Sequence, residues 1–260
     1  MPFLPENKDQ KTKFVNNYLT LREGFPVLIQ ILEDASQKFQ HWMKTSDKPK
    51  GFPVPCLGYR DCPICLRNRS LGENYKEHPD FIPVSKRYLV NVVDLSPCKR
   101  SGDEVYLGVP DETGKLVFPV RDSKGNSLED VQVTPVNEVK ILERGPELFE
   151  KKLRPLTTGA VTDADDNPLE ITQFPIQLTV TGSGRTTDVG AVPKPFSKYK
   201  INPADYSDKL IDLTAGLRFS SDEIEEMMKG TTFTDVLAAR KAMAELTKKD
   251  NLVNASGIEY

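Results

Sequence analysis

Three of the chain's four cysteines, Cys56, Cys62 and Cys65, fall within ten positions, and His41 precedes them in the spacing His-x14-Cys-x5-Cys-x2-Cys. This cluster constrains the fold more than any other feature. A Cys-x2-Cys step brings two thiolates to one ion through a tight turn, here Cys62-Pro63-Ile64-Cys65, and a preceding loop supplies the other ligands. Four N or S donors make a closed tetrahedral site, which is structural because no coordination position stays open for chemistry. The expectation is one structural Zn2+ on His41, Cys56, Cys62 and Cys65, with Cys98 and His78 as alternatives for the fourth ligand. The competing reading is buried thiols beside a core histidine. Redox chemistry by Cys62 and Cys65 is a weaker option, since that motif expects a βαβ context. The N-terminus, MPFLPENKDQKTKF, has no apolar signal region, and no apolar run approaches the ~18–20 residues of a membrane span. A cytoplasmic chain without membrane contact is therefore expected, in a compartment where disulfides do not persist.

Around the cluster the pattern is short and β-rich. Residues 1–17 are polar and read as a flexible arm carrying Lys8, Lys11 and Lys13. Residues 18–34 suggest two short strands around Glu23-Gly24, 63–74 a helix opened by proline, and 87–95 the strongest strand of the chain. A hairpin is expected over 103–120, helical turns over 146–153, a loop over 157–168 and a long strand over 169–184 in which Pro175 marks a bend or an edge position. Residues 190–205, with Pro193, Pro195 and Pro203, read as a linker. From about 206 the pattern is helical: Ser220 to Glu223 can cap one helix that stops at Gly230, and a second starts near Thr234. The class is mainly β with α appendages. A small barrel with inserted loops fits best, and a β-sandwich is the competitor. The expected organisation is an arm (1–17), a β core (18–202) holding a zinc subdomain at about 36–80, and an acidic, helical C-terminal region (203–260).

The net charge of -3 conceals a gradient. Residues 1–100 carry +5, residues 101–202 carry -4 and residues 203–260 carry -4. Between 36 and 100, twelve basic residues face six acidic ones, and seven aromatics are interleaved. Single strands are held by cations along the phosphates and by aromatic faces on which bases stack, with no base-edge code. Lys86, Arg87 and Tyr88, at the entry of the strong strand, are the leading contact candidates. Tyr59 and Arg60 in the cysteine loop follow, with Trp42 and Lys44 beside His41. Lys115 and Phe118 in the hairpin, and Arg185 after TGSG, complete the set. Any one of these is more often a solvated charge or a core ring; the combination favours nucleic acid.

The order of these features resembles the single-stranded DNA-binding, helix-destabilising protein family of T-even phages and related tailed phages. The matching pieces are LTLREGFPVLIQIL, FQHWM, the loop PCLGYRDCPIC, the strand SKRYLVNVVDL, the late strand ITQFPIQLTVTGSGRTTD and a separate acidic C-terminal region. The resemblance spans roughly 18–200. It implies an OB-fold carrying a zinc subdomain, a cleft for single-stranded DNA, and the ligands His41, Cys56, Cys62 and Cys65. It also implies work in replication, recombination and repair in the host cytoplasm, with replication and recombination proteins recruited by the acidic region. This chain departs from the family at both ends: its arm holds only three lysines, and NLVNASGIEY is nearly uncharged. The expected protein is therefore a binding protein and not an enzyme. A metal-dependent nuclease would need clustered carboxylates, and Asp163, Asp165 and Asp166 are the one dense set before the C-terminal region. A zinc-containing interaction adaptor in transcription is the third class.

Overall fold

The computed structural model describes residues 17–157, 159–182, 187–213 and 218–255. The chain is mainly β with some helices. Among the described residues its contacts divide it into two units, one drawn from 17–36 and 88–213 and one from 37–87 and 218–255, and the arm expected over 1–17 lies outside the described residues up to Asn16. Sequence reasoning drew a boundary at 203 and set the cysteine loop inside the β core. The contacts instead group that loop with the C-terminal helices.

In the first unit, strand β1 (Val27–Ile31) and the part of β4 (Val84–Asp94) from Tyr88 onward form the centre of an antiparallel sheet. β4 continues on one edge to β10 (Glu138–Arg144), and β1 continues to β11 (Ile176–Thr181) and then β12 (Asp188–Pro193). The apolar alternation of these strands buries Val27, Ile29, Val90, Val92, Leu142, Ile176 and Leu178 on one face. The stretch from α2 (Pro146–Leu148) into the wide turn Phe149–Leu153 covers that face with Leu148, Phe149 and Leu153. The other face of β4 is also covered, since Val93 and Leu95 pack with Tyr206, Tyr199 and Ile201. Burial on both faces explains why Leu89–Val93 is apolar at every position but Asn91.

The sheet is not closed into a barrel. Isolated bridges tie residues 18–23 to β10 at one end, Tyr18 to Ile141, and to β11 at the other, Glu23 to Val180. The segment read as a linker, 190–205, instead supplies β12 and a helical turn at Pro203–Lys209. A smaller sheet, β5 (Pro97–Ser101), β6 (Glu104–Leu107) and β9 (Thr134–Pro135), and the pair β7 (Val109–Pro110) and β8 (Leu116–Val117) complete this unit.

Three loops of this unit share one design. In Asp111–Lys115, Asp122–Asn126 and Asp163–Asn167, the leading carboxylate accepts the backbone N–H groups two and four residues on. The fourth position has positive φ, at Gly114, Gly125 and Asp166. Asp163 is thus committed to a hairpin turn, together with the Asp165 and Asp166 that sequence reasoning offered to a nuclease metal.

The second unit is built on a hairpin of β2 (Ser36–Thr45) and β3 (Lys48–Pro55), followed by α1 (Pro63–Ser70). β3 carries three prolines and a glycine, and it is tolerated because it lies at the end of the strand order. α3 (Ser221–Met228) and α4 (Phe233–Ala255) pack onto this hairpin and loop. Ile224, Met227 and Val236 share one core with Met43, Val54, Cys62 and Ile64, and the rings of Phe52, Phe219 and Phe233 stand 4.6–6.2 Å apart. The expected cap is present: the Ser220 hydroxyl accepts the Glu223 N–H, and the Glu223 carboxylate accepts the Ser220 N–H. Asp47, in the β2–β3 turn, accepts the N–H groups of Phe233 and Thr234 at 3.1 and 3.0 Å and so caps α4. Among the described residues, no helix is long and apolar enough to cross a membrane.

Candidate metal centre and the surface around it

His41, Cys56, Cys62 and Cys65 converge, with one donor atom from each within 4.8 Å of the others. The strand alternation of β2 turns His41 inward beside Met43, while Trp42 and Lys44 point outward. Cys56 follows β3, and its N–H donates to the Phe39 carbonyl at 2.9 Å. Gly58, at φ +104, makes the turn between Cys56 and the knuckle, a conformation that favours glycine. Cys62 sits at the N-cap of α1, and Cys65 lies in its first turn.

The donor spacing suits a tetrahedral ion. His41 Nε2 lies 3.5 Å from Cys62 Sγ and 3.4 Å from Cys65 Sγ, and Cys56 Sγ lies 3.6 Å from Cys65 Sγ. Metal–sulfur legs of ~2.3 Å give tetrahedral edges of about 3.8 Å. Backbone N–H groups also serve the sulfurs: Gly58 donates to Cys56, while Leu57 and Cys65 donate to Cys62. Such bonds stabilise thiolates.

The thiols perturb one another strongly. At Cys62 burial pushes the pKa up, but bonds from the His41 ring and the Cys65 and Leu57 amides outweigh it and bring it down to about 6. At Cys65 burial, the contact with Cys56 and the Cys62 charge push it up to about 12. Burial raises Cys56 as well. A cation is what would let all three ionise together. These four residues could hold a metal ion.

A further layer orients the histidine. His41 Nδ1 lies 3.2 Å from the Ile82 carbonyl, which leaves Nε2 to face the sulfurs. Ile82 is itself clamped by Asn68, whose amide donates to its carbonyl at 2.7 Å and accepts its N–H at 3.1 Å. Sequence reasoning missed this pair. The signal was available for Asn68, which follows Cys65 by three residues and therefore shares its helix face. The alternative ligands lie elsewhere: Cys98 is on β5, buried in the first unit, and His78 Nδ1 accepts the Asp80 N–H.

The other candidate residues divide between the units. Trp42, Lys44, Tyr59, Arg60, Lys86 and Arg87 fall in the second, and Tyr88, Lys115 and Phe118 in the first. Arg185 lies outside the described residues. Trp42 is 50% exposed, and its indole lies over Gly51 and donates to the Lys50 carbonyl at 2.9 Å. Tyr59 is 67% exposed, with the Arg69 guanidinium 4.2 Å from its ring centroid. Lys44 and Arg60 are exposed. Arg87 Nε is buried without a hydrogen-bond partner among the described residues. Tyr88 is committed to its own unit, stacked on Phe149 at 5.1 Å with its hydroxyl donating to Glu150 at 2.6 Å. Phe118 packs against Gly108 under the Lys99 ammonium, and the Lys115 side chain is exposed. No protein-family model and no curated protein matches this chain.

Proposed function

We propose that this protein binds single-stranded DNA without sequence preference, and coats and protects it during phage replication, recombination and repair. One observation carries the reading most. The metal-binding unit presents two large aromatic rings to solvent, each beside a cation: Trp42 with Lys44 on the outer face of β2, and Tyr59 under Arg69. Stacking faces beside positive charge are what sequence-tolerant single-strand binding requires. In this reading the ion at His41, Cys56, Cys62 and Cys65 is a structural Zn2+. Three sulfurs and one imidazole are its preferred donor set, and four protein ligands leave no position for chemistry. The ion fastens β2 to the cysteine loop, and so fixes both rings relative to each other.

The OB-fold assignment belongs to the same proposal. Residues 18–23 touch β10 at one end and β11 at the other, strands that lie on opposite sides of the central β1–β4 pair. α3 carries Asp222, Glu225 and Glu226 on its exposed side, an acidic surface suited to replication and recombination proteins. The test is titration of a labelled oligothymidylate and a matching duplex at two salt concentrations. The proposal expects tighter binding of the single strand and an affinity that falls with salt, with a slope of about -0.7 per phosphate contact. Equal binding of both forms, or a salt-insensitive affinity, would overturn it.

A further inference from the structure

The first unit carries a second aromatic and cationic surface, at residues that read as a linker. From Lys194 to Lys200 the side chains alternate: Lys194, Phe196, Lys198 and Lys200 are exposed, and Pro195, Ser197 and Tyr199 are half-buried. Phe196 is 74% exposed, the most exposed large apolar side chain among the described residues. Water is a poor solvent for such a ring, and a single exposed apolar side chain needs no explanation of its own. Its setting is what matters.

The segment is held at both ends. The Lys194 N–H donates to the Pro175 carbonyl at 2.7 Å, and the Ser197 N–H to the Lys194 carbonyl at 3.0 Å. At the far end the fully buried Gln30 clamps Ile201, accepting its N–H at 3.0 Å and donating to its carbonyl at 2.8 Å. Tyr199 and Ile201 pack into the core beside Val93 and Leu95. Phe196 therefore stands on a fixed turn, and a ligand would not have to order the backbone first.

Beside it lies an open groove of about 450 Å³, lined by Leu28, Gln177, Lys194, Phe196, Lys198 and Tyr199 among others, with no carboxylate in the lining. Lys198 Nζ lies 5.0 Å from the Tyr199 ring centroid. The cavity beside Tyr88 is different. It measures about 300 Å³ and meets Glu33, Asp34 and Glu150 against a single Arg154, a poor environment for a phosphate. The groove at Phe196 also shares Leu28 and Gln177 with a larger trough of about 740 Å³. That trough crosses the outward face of β11 at Thr179 and Thr181, meets one carboxylate at Glu23, and reaches Gly114 and Leu116, which flank Lys115.

We propose that Lys194, Phe196, Lys198 and Tyr199 form a nucleotide subsite for single-stranded nucleic acid. One base stacks on Phe196, the adjoining phosphates meet Lys194 and Lys198, and the strand continues over β1 and β11 toward Lys115. The subsite rests on the single-strand reading and adds to it a contact set on the first unit. Stacking by Phe196 and charge from two lysines make separable contributions, which gives the proposal two independent readouts.

The experiment titrates labelled oligothymidylate into the full-length, metal-loaded protein, its Phe196→Ala and Phe196→Tyr variants, and a Lys194→Ala/Lys198→Ala double variant, over a series of salt concentrations. All three side chains are exposed, so melting temperatures should match the wild type. Phe196→Ala should weaken binding by about 5- to 150-fold, with the salt slope retained and Phe196→Tyr restoring affinity. The lysine variant should reduce the salt slope by about 1.4. If the wild type binds and both changes leave affinity within twofold and the slope intact, the subsite is wrong and the single-strand reading stands. If the wild type does not bind the oligonucleotide, that reading fails and the subsite falls with it.

Discussion

Ile224→Ala tests whether the C-terminal helices are part of the metal-binding unit. Ile224 is fully buried on α3, in the same core as Cys62, Ile64 and Val54. Truncating a fully buried isoleucine removes its transfer free energy and leaves a cavity, at a cost of about 2–5 kcal/mol. That is about 30- to 5,000-fold in the ratio of folded to open unit. For a unit of this size, each kcal/mol moves the midpoint by about 4–8 °C, so the melting transition should fall by at least about 8 °C. Cys62, one of the four candidate ligands, shares this core, so opening of the core would expose an ion held there. Transfer of bound metal to an excess of chelator should then accelerate at least about tenfold where opening is the route. The assay is a melt of the full chain alongside chelator competition, with Glu225→Ala, an exposed change on the same helix, as the control. If Ile224→Ala loses metal no faster than wild type and melts with it, α3 is an appendage and the shared core is wrong.

Three further expectations follow from single sites. Metal analysis of the purified protein should find about one zinc per chain, lost in Cys62→Ser, and a metal-free wild type of unchanged stability would refute the centre. Gly51→Ala should tilt the Trp42 indole out of place, because a Cβ there would come 2.3 Å from its Nε1 and φ is +80. A changed Trp emission spectrum checks it, and an unchanged one contradicts it. Arg240 holds the Glu223 carboxyl below its ordinary 4.5, so the pair stabilises the fold above that value and is lost as pH falls through the depressed native pKa. The stability difference between wild type and Glu223→Gln should therefore be present at pH 7 and shrink in acid; a difference that grows in acid would reverse the sign.

What was legible in the chain was whatever depends on local spacing. The four donors follow from the Cys-x2-Cys knuckle and from a histidine close before it in sequence, whereas the strand β2 that turns His41 inward does not show, because FQHWM runs into a segment rich in Lys, Pro and Gly. Ser220 and Glu223 announce a helix start because both halves of the cap lie within four residues. β4 declares itself because both of its faces are buried. What stayed hidden depends on partners distant in sequence. β3 contains Pro49, Pro53, Pro55 and Gly51 and reads as loop, yet it is a strand because β2 pairs with it on one side only. Asp47 caps a helix that starts 186 residues later. The acidic character of residues 203–260 suggested a detachable region, whereas Phe219, Ile224, Met227 and Val236 sit in the core around Cys62. The prolines at 193 and 195 suggested a linker, and tertiary contacts from Gln30 and Pro175 turn it into an ordered platform.

Trp42 provides the most direct test of the central claim. It is the chain's one tryptophan, half exposed on the outer face of β2 and one residue from a metal donor. A base stacked on that ring would quench its emission. Titrating the metal-loaded protein with oligothymidylate should give saturable quenching that is reversed by added salt, and matching duplex should give far less. Unchanged emission with single strand, in a protein that retains its metal and its fold, would contradict the account.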